Sequence, residues 1–318
     1  MSGQQTPAQA RVIDPILSQH ARGYRQAGLI ARMLFPLAFV SAYGGQVIQF
    51  GKESFRQYSS KRAPGTATKR IRFGYSGSPY AIVPRALEAV VPRELGVDAA
   101  AVPGINLGSR AVNTVMRVLD LEHEVECAGI ATNAGNYDTD HKITLTGTDR
   151  WTHPSSSDPV DDVMTGREAI RASIGMYPNT MMISAKALRG LKNHDDLIGR
   201  TSNAALRKVT LDTLREVFEV DNIVVGAATV ADDADALSDV WGADVVLAYA
   251  AAGSDAGANN EEPAYGYTYA IEGMPLVEVP YWDNSTKSWV YGVASDMTPV
   301  LSGMTAAYLI KDAGLPHA

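Results

Sequence analysis

Only one cysteine, Cys127, occurs in the 318 residues. That excludes an intrachain disulfide framework and a zinc site built on thiolates. A lone cysteine inside an apolar helical pattern reads as a small buried hydrophobe. Long hydrophobic runs are also scarce. The most apolar stretch, Leu29 to Ala42, is broken by Arg32 and Pro36 and is too short to span a bilayer. The first fifteen residues, MSGQQTPAQARVIDP, lack the charged-then-apolar layout of a secretory signal. No membrane partner is expected, and the protein is expected to be made and used in a cytosol-like compartment or packaged from one.

Catalytic and cofactor signatures are missing as well. The six histidines, His20, His123, His141, His153, His194 and His317, form no His-x-x-x-His pair. Glu122-His123-Glu124 falls in a helical pattern, where adjacent side chains point in different directions and cannot converge on one ion. Gly44 to Ser54 imitates a phosphate loop, but Gln46 and Glu53 stand where a glycine and a magnesium-binding hydroxyl are required. Asp158, Asp161 and Asp162 precede or open a predicted helix, where carboxylates meet the positive end of the dipole, and the spacing of a calcium loop is absent. His141 lies near Asp138 and Asp140, which a turn before a strand accounts for. There is no Gly-x-Ser-x-Gly elbow. The expectation is a non-enzyme with no catalytic residues, no metal and no cofactor.

Acidic side chains are nearly absent from the first quarter. Residues 1–80 hold eleven Lys and Arg against Asp14 and Glu53, a balance of +9, so the other 238 residues carry −16 of the net −7. The imbalance peaks between Gly44 and Pro84, where Lys52, Arg56, Lys61, Arg62, Lys69, Arg70 and Arg72 oppose Glu53 alone. Two runs there alternate like strands, Gln46 to Phe50 and Arg70 to Tyr75, around a polar tongue. This is the pattern of a β-hairpin with an over-long connection. Such an arm cannot bury enough apolar surface to hold itself together. It needs a ligand, a nucleic acid or another copy of the chain to lie on. A basic arm on an acidic body favours another copy. Nucleic-acid binding through the basic quarter is the competing reading, since Tyr and Phe stand among the Arg and Lys as in stacking binders.

Elsewhere the pattern is that of a folded protein. Asp14-Pro15 offers a helix start, and Pro36 separates that helix from Leu37 to Val40; together they read as an extended arm rather than a domain. Arg85 to Pro103 reads as a connector. Ile105 to Asn133 is the strongest helical segment, with Asn106 or Asn113 as cap. Its stripe is Val112, Val115, Met116 and Leu119, continued by Val118, Leu121, Val125 and Ala128. Lys142 to Thr146 is a strand and Val160 to Ile174 a helix ended by Gly175. Thr180 to Ser184 is a buried strand, Ala185 to Leu191 and Leu211 to Phe218 are helices, and Asn222 to Val230 and Val245 to Tyr249 are strands. Residues 158–262 thus look like an α/β lobe, and the tail to Ala307 is β-rich.

At this point whole segments become recognisable. PNTMMISAKALRGLKNHDDLIGR (Pro178 to Arg200), with its Leu-Lys-Asn-His turn, resembles a segment of tailed-phage major capsid proteins. So do DPILSQHARGYRQAGLIARMLFP near the start, FGKESFRQYSSKRAPGTATKRIRF in the hairpin, TLTGTDRW followed by SDP, VWGADVVLAY, and EPAYGYTYAIEGMPLVEV. The resemblance runs in order from about Val12 to Leu309. It implies an α+β chain with the Hong Kong 97-type capsid fold. The implied parts are an N-terminal arm (1–43), an extended β-hairpin loop or E-loop (44–84), and a peripheral domain (85–157) with a long spine helix (105–133). An α/β axial domain (158–262) and a return to the peripheral domain (263–318) follow.

It also implies a major capsid protein that self-assembles into hexamers and pentamers, forming an icosahedral shell around double-stranded DNA. In that shell Lys52, Arg56, Lys61, Arg62, Lys69, Arg70 and Arg72 would meet acidic surface on a neighbour, with Phe55 and Tyr58 among the apolar anchors. Some relatives carry a long helical leader before the arm; this chain is expected to start at the arm and to rely on a separate scaffolding protein. Further implied partners are a portal, a decoration protein, and packaged DNA contacted without sequence specificity.

Overall fold

A computed structural model describes residues 13–23, 28–47, 61, 79–95, 106–200, 209–251 and 264–317. Helix α1 (Pro15–Gly23) begins where the sequence indicates. The Asp14 carboxylate accepts the Ile16 and Leu17 N–H groups at 2.9 and 3.0 Å, and Pro15 takes the first helical position, where a missing N–H costs nothing. Next come α2 (Ala31–Leu34) and β1 (Leu37–Val40). The stretch expected from sequence to be an extended arm is seated on the body here. Leu34 and Phe35 are fully buried in the main core, and β1 pairs in parallel with a strand more than 200 residues away. The apolar run from Leu29 is therefore core, placed there by partners that local sequence does not reveal.

Strands β2 (Gly44–Gln46) and β3 (Pro79–Ala81) pair antiparallel and form the stem of the expected hairpin. The predicted strand Arg70 to Tyr75 and most of Gln46 to Phe50 lie outside the described residues. The expected connector instead contains β4 (Ala86–Pro92).

Helix α3 (Leu107–Ala131) is the long helix, about 37 Å at 1.5 Å per residue. Asn106 caps it by accepting the Ser109 N–H at 3.1 Å. Its buried face continues from Val112, Val115, Met116 and Leu119 through His123, Glu124, Cys127, Ala128 and Ala131. Val118 and Val125 instead point outward, being 50% and 38% exposed. Stepping by three and four from Leu119 leads to residues 123 and 127, so helical geometry overrides the apolar count. Hydrophobicity misleads here because polar side chains occupy the buried face.

Beyond α3 come β5 (Lys142–Thr144), α4 (Pro159–Ile174), β6 (Thr180–Ser184), α5 (Ala185–Lys192), α6 (Asp195–Arg200), α7 (Leu211–Phe218), β7 (Asn222–Gly226), β8 (Thr229–Ala231), β9 (Leu237–Asp239) and β10 (Val245–Ala248). Asp158 caps α4 through the Asp161 N–H, and Gly175 ends it in the left-handed region at φ 72°. At Gly166 an added Cβ would stand 2.7 Å from the Tyr308 ring, so the missing side chain lets α4 close on the sheet.

The tail supplies β11 (Gly266–Ile271), β12 (Leu276–Val277), β13 (Tyr281–Asp283), β14 (Ser288–Ala294), β15 (Met297–Leu301) and β16 (Ala307–Lys311). Three sheets organise the body. The largest runs β5-β16-β10-β6-β7, with β6 and β10 buried along their whole length. It draws β5 and β16 from outside the 158–262 range. A second sheet runs β1-β11-β15. In the third, β14 is flanked by β12 and β13 on one side and β4 on the other, and α3 packs on one face through Val115, Met116, Val293 and Ala89.

Candidate assembly interface

The loop stem is fastened to the body by apolar and polar contacts. Val47 and Ile82 flank it and are buried with Ala38, Tyr267 and Tyr269. Tyr80 stacks on Tyr269 with ring centroids 4.4 Å apart, and Gly45 leaves room for the Tyr80 ring, which an added Cβ would meet at 2.9 Å. Asp296 receives the Tyr43 hydroxyl at 2.7 Å and the Arg85 N–H at 3.0 Å. The Tyr43 phenol is pushed up by its bond to that carboxylate. The Arg85 side chain reaches the spine helix, with Glu126 at 2.5 Å and Glu122 at 3.8 Å. The stem formed by β2 and β3 is thus held to the body on both sides.

Of the nine loop residues named from sequence, Lys61 is exposed. Lys52, Phe55, Arg56, Tyr58, Arg62, Lys69, Arg70 and Arg72 lie outside the described residues. Sequence reading did not find the groups that hold the stem, namely Arg85, Asp296 and Tyr43. Their partners are distant in the chain, so no local spacing announced them.

A buried polar cluster joins the N-terminal segment, the spine helix and the α/β lobe. Glu124 accepts from the Ile30 and Ala31 N–H groups and from the Trp241 indole. Asp120 pairs with Arg32 at 2.9 Å. His123 Nε2 lies 2.9 Å from Thr268 Oγ1, and burial, followed by the charges of Arg32 and Arg85, depresses its pKa to about 3. His123 is accordingly neutral and packed. The Cys127 thiol, also fully buried, is pushed well up by burial.

One grouping imitates a catalytic relay. His141 Nδ1 is 2.6 Å from Asp138 and its Nε2 is 3.0 Å from Ser173 Oγ. Nucleophilic catalysis also requires donors aimed at a developing oxyanion. Ser173 sits in the last turn of α4, the negative end of the dipole, where outward-facing carbonyls repel such a charge. The trio serves as a bracket that ties the end of α4 to the turn before β5.

Known proteins resemble this chain in sequence and in fold. The family model described as phage major capsid protein E matches residues 136–307. The major capsid protein of Burkholderia phage BcepMu is 37% identical over 302 residues, covering 95% of this chain and 96% of the relative. The crystal structure of a phage-related protein from Bordetella bronchiseptica RB50 is 58% identical, with a TM-score of 0.83 over 98% of this chain and all of the other. The mature capsid of bacteriophage PhiM1 has the same fold at 14% identity, with a TM-score of 0.52 over 92% of this chain and 90% of the other.

Proposed function

Because the chain belongs to the phage major capsid protein E family, we propose that its hexamers and pentamers build the icosahedral head shell of a tailed bacteriophage. The observation that carries this reading is similarity along nearly the full length of a phage major capsid protein, on a Hong Kong 97-type α+β fold. Closed shells need many equivalent contacts that are individually weak and collectively strong. A rigid body with a long loop rooted on a braced stem suits that need.

We assign the parts as follows. The loop between β2 and β3 is the clasp, and Lys52, Arg56, Lys61, Arg62, Lys69, Arg70 and Arg72 are its charges, with Phe55 and Tyr58 as anchors. The peripheral domain holds α3 and the sheet around β14. The axial domain extends beyond 158–262 to take in β5 and β16, which complete its sheet. Assembly takes place in the host cytoplasm with a separate scaffolding protein and a portal. A decoration protein binds outside, and packaged DNA is contacted inside without sequence specificity.

Electron microscopy of the purified full chain, with light scattering at moderate salt, tests the proposal. Shells or capsomers are expected. A small monodisperse particle under all conditions, or particles formed only with added nucleic acid, would overturn it.

A further inference from the structure

The exposed side of α3 carries an apolar row of its own. Thr114, Val118, Leu121, Val125 and Gly129 follow one another at steps of four, three, four and four residues, so they align along the helix. The row lies opposite the face that Met116, His123 and Cys127 press into the body. Val118 and Val125 are exposed, Leu121 is partly buried, and an added Cβ on Gly129 would meet nothing within 4 Å. The protomer therefore leaves the row uncovered. At about 1.5 Å per residue it runs roughly 22 Å, four helical turns. Apolar side chains at three- and four-residue spacing form the kind of seam that a second helix fills.

The two borders of the row differ in charge. Arg110 and Arg117 stand two turns apart on one border. Both are exposed, and among the described residues no carboxylate pairs with either. Glu122 and Glu126 stand on the other border, where Arg85 reaches Glu126 at 2.5 Å and lies 3.8 Å from Glu122. The acidic border is thus answered from within the protomer, and the basic one is not.

We infer that this face of α3 docks an amphipathic helix from a separate protein, with apolar side chains at three- and four-residue spacing and carboxylates along the border that meets Arg110 and Arg117. Such a contact takes its affinity from the apolar row and its orientation from the flanking charges. A second copy of α3 fits less well. Packed antiparallel about a two-fold axis, the two rows would set each arginine border against its twin. Packed parallel, the arginines would face Glu122 and Glu126, which already share Arg85. The site is formed within one protomer and goes beyond the capsid reading.

Fluorescence polarisation on the unassembled full chain tests this. The probe is a labelled three-heptad peptide with leucine in its seam, glutamate along one border and glutamine along the other. Saturable one-to-one binding is expected, weakened about tenfold or more by Val118→Gln with Val125→Gln. Both positions are exposed, so the unassembled variant should melt as wild type does. Arg110→Glu with Arg117→Glu should weaken binding likewise, and should favour a peptide in which lysine replaces the glutamates. No saturable binding, binding that the paired valine substitutions leave unchanged, or equal affinity of wild type for the lysine peptide overturns the inference. So does sedimentation that shows wild type pairing through a contact which those substitutions abolish, since the occupant is then a second copy. Failure of the chain to form shells bears on the capsid reading alone.

Discussion

Trp241 donates its indole N–H to Glu124 Oε1 at 2.6 Å, joining the α/β lobe to the middle of the spine helix. The same carboxylate accepts the Ile30 N–H at 3.0 Å and the Ala31 N–H at 2.8 Å, so it also caps α2. Three donors from two distant segments converge on one carboxylate that is 1% exposed. A buried charge is tolerable when it is fully hydrogen-bonded, and here it fixes the N-terminal segment against both halves of the body.

Glu124→Ala leaves those donors without an acceptor. The expected loss is about 3–5 kcal/mol, comparable to breaking a buried charged pair. Trp241→Phe removes one donor and packing area, at a cost of about 1–3 kcal/mol. Urea denaturation of unassembled protein measures both. A Glu124→Ala midpoint equal to wild type would show that the cluster contributes nothing to folding.

Part of this was legible beforehand. Asn106, one of two candidate caps, marked the start of α3, and Asp158 and Gly175 marked the two ends of α4, because caps are local chemistry. The strand Thr180 to Ser184 was legible as a continuous apolar run. The buried role of Glu124 was not, since a carboxylate on the inner face of a helix gives no apolar signal. Strand β4 was hidden for another reason. Its residues become a strand by pairing with Ser288–Ala294, nearly 200 positions away, and in isolation they read as a connector. The return of β16 to the sheet of the α/β lobe from the end of the chain was hidden in the same way.

Asp162 gives a pH-dependent prediction. Burial raises its pKa to about 6, the Trp151 indole bond opposes the rise, and Asp158, Asp161 and Asp149 add to it. A carboxyl whose folded pKa lies above its unfolded value stabilises the fold while protonated. Its contribution is complete below the unfolded value near 4 and is lost as pH rises through about 6. Solvent reaching the group screens the effect to about 1 kcal/mol. Asp162→Asn still accepts from Trp151 and should be the more stable form at pH 7.5. The difference from wild type should shrink as pH falls from 6 to 4. Denaturation midpoints across that range decide it, and a pH-independent difference would rule out titration of Asp162.

Gly166→Ala sets two effects against each other. Alanine gains up to about 1 kcal/mol of helix propensity over glycine. Its methyl would stand 2.7 Å from the Tyr308 ring and 2.9 Å from Leu247 Cδ1, both buried. Overpacking of that kind costs about 1–3 kcal/mol, so the net is expected to be destabilising. A higher melting temperature for the alanine variant would mean that α4 can move off the sheet freely.

Charge reversal tests the electrostatic part of the clasp. With Arg62→Glu and Arg70→Glu together, the loop's seven basic and one acidic residues become five and three, so its charge falls from +6 to +2. If those charges meet acidic surface on a neighbour, shell yield should drop several-fold at low salt. Wild-type assembly should itself weaken as salt shortens the screening length, and the variant should show less of that salt dependence. Arg62→Lys with Arg70→Lys keeps the charge and should assemble at near wild-type yield unless a two-pronged guanidinium contact is needed. The melting temperature of the unassembled reversal variant separates a loss of folding from a loss of assembly. Normal yield with unchanged salt resistance would leave the loop to work through its apolar anchors and main chain alone.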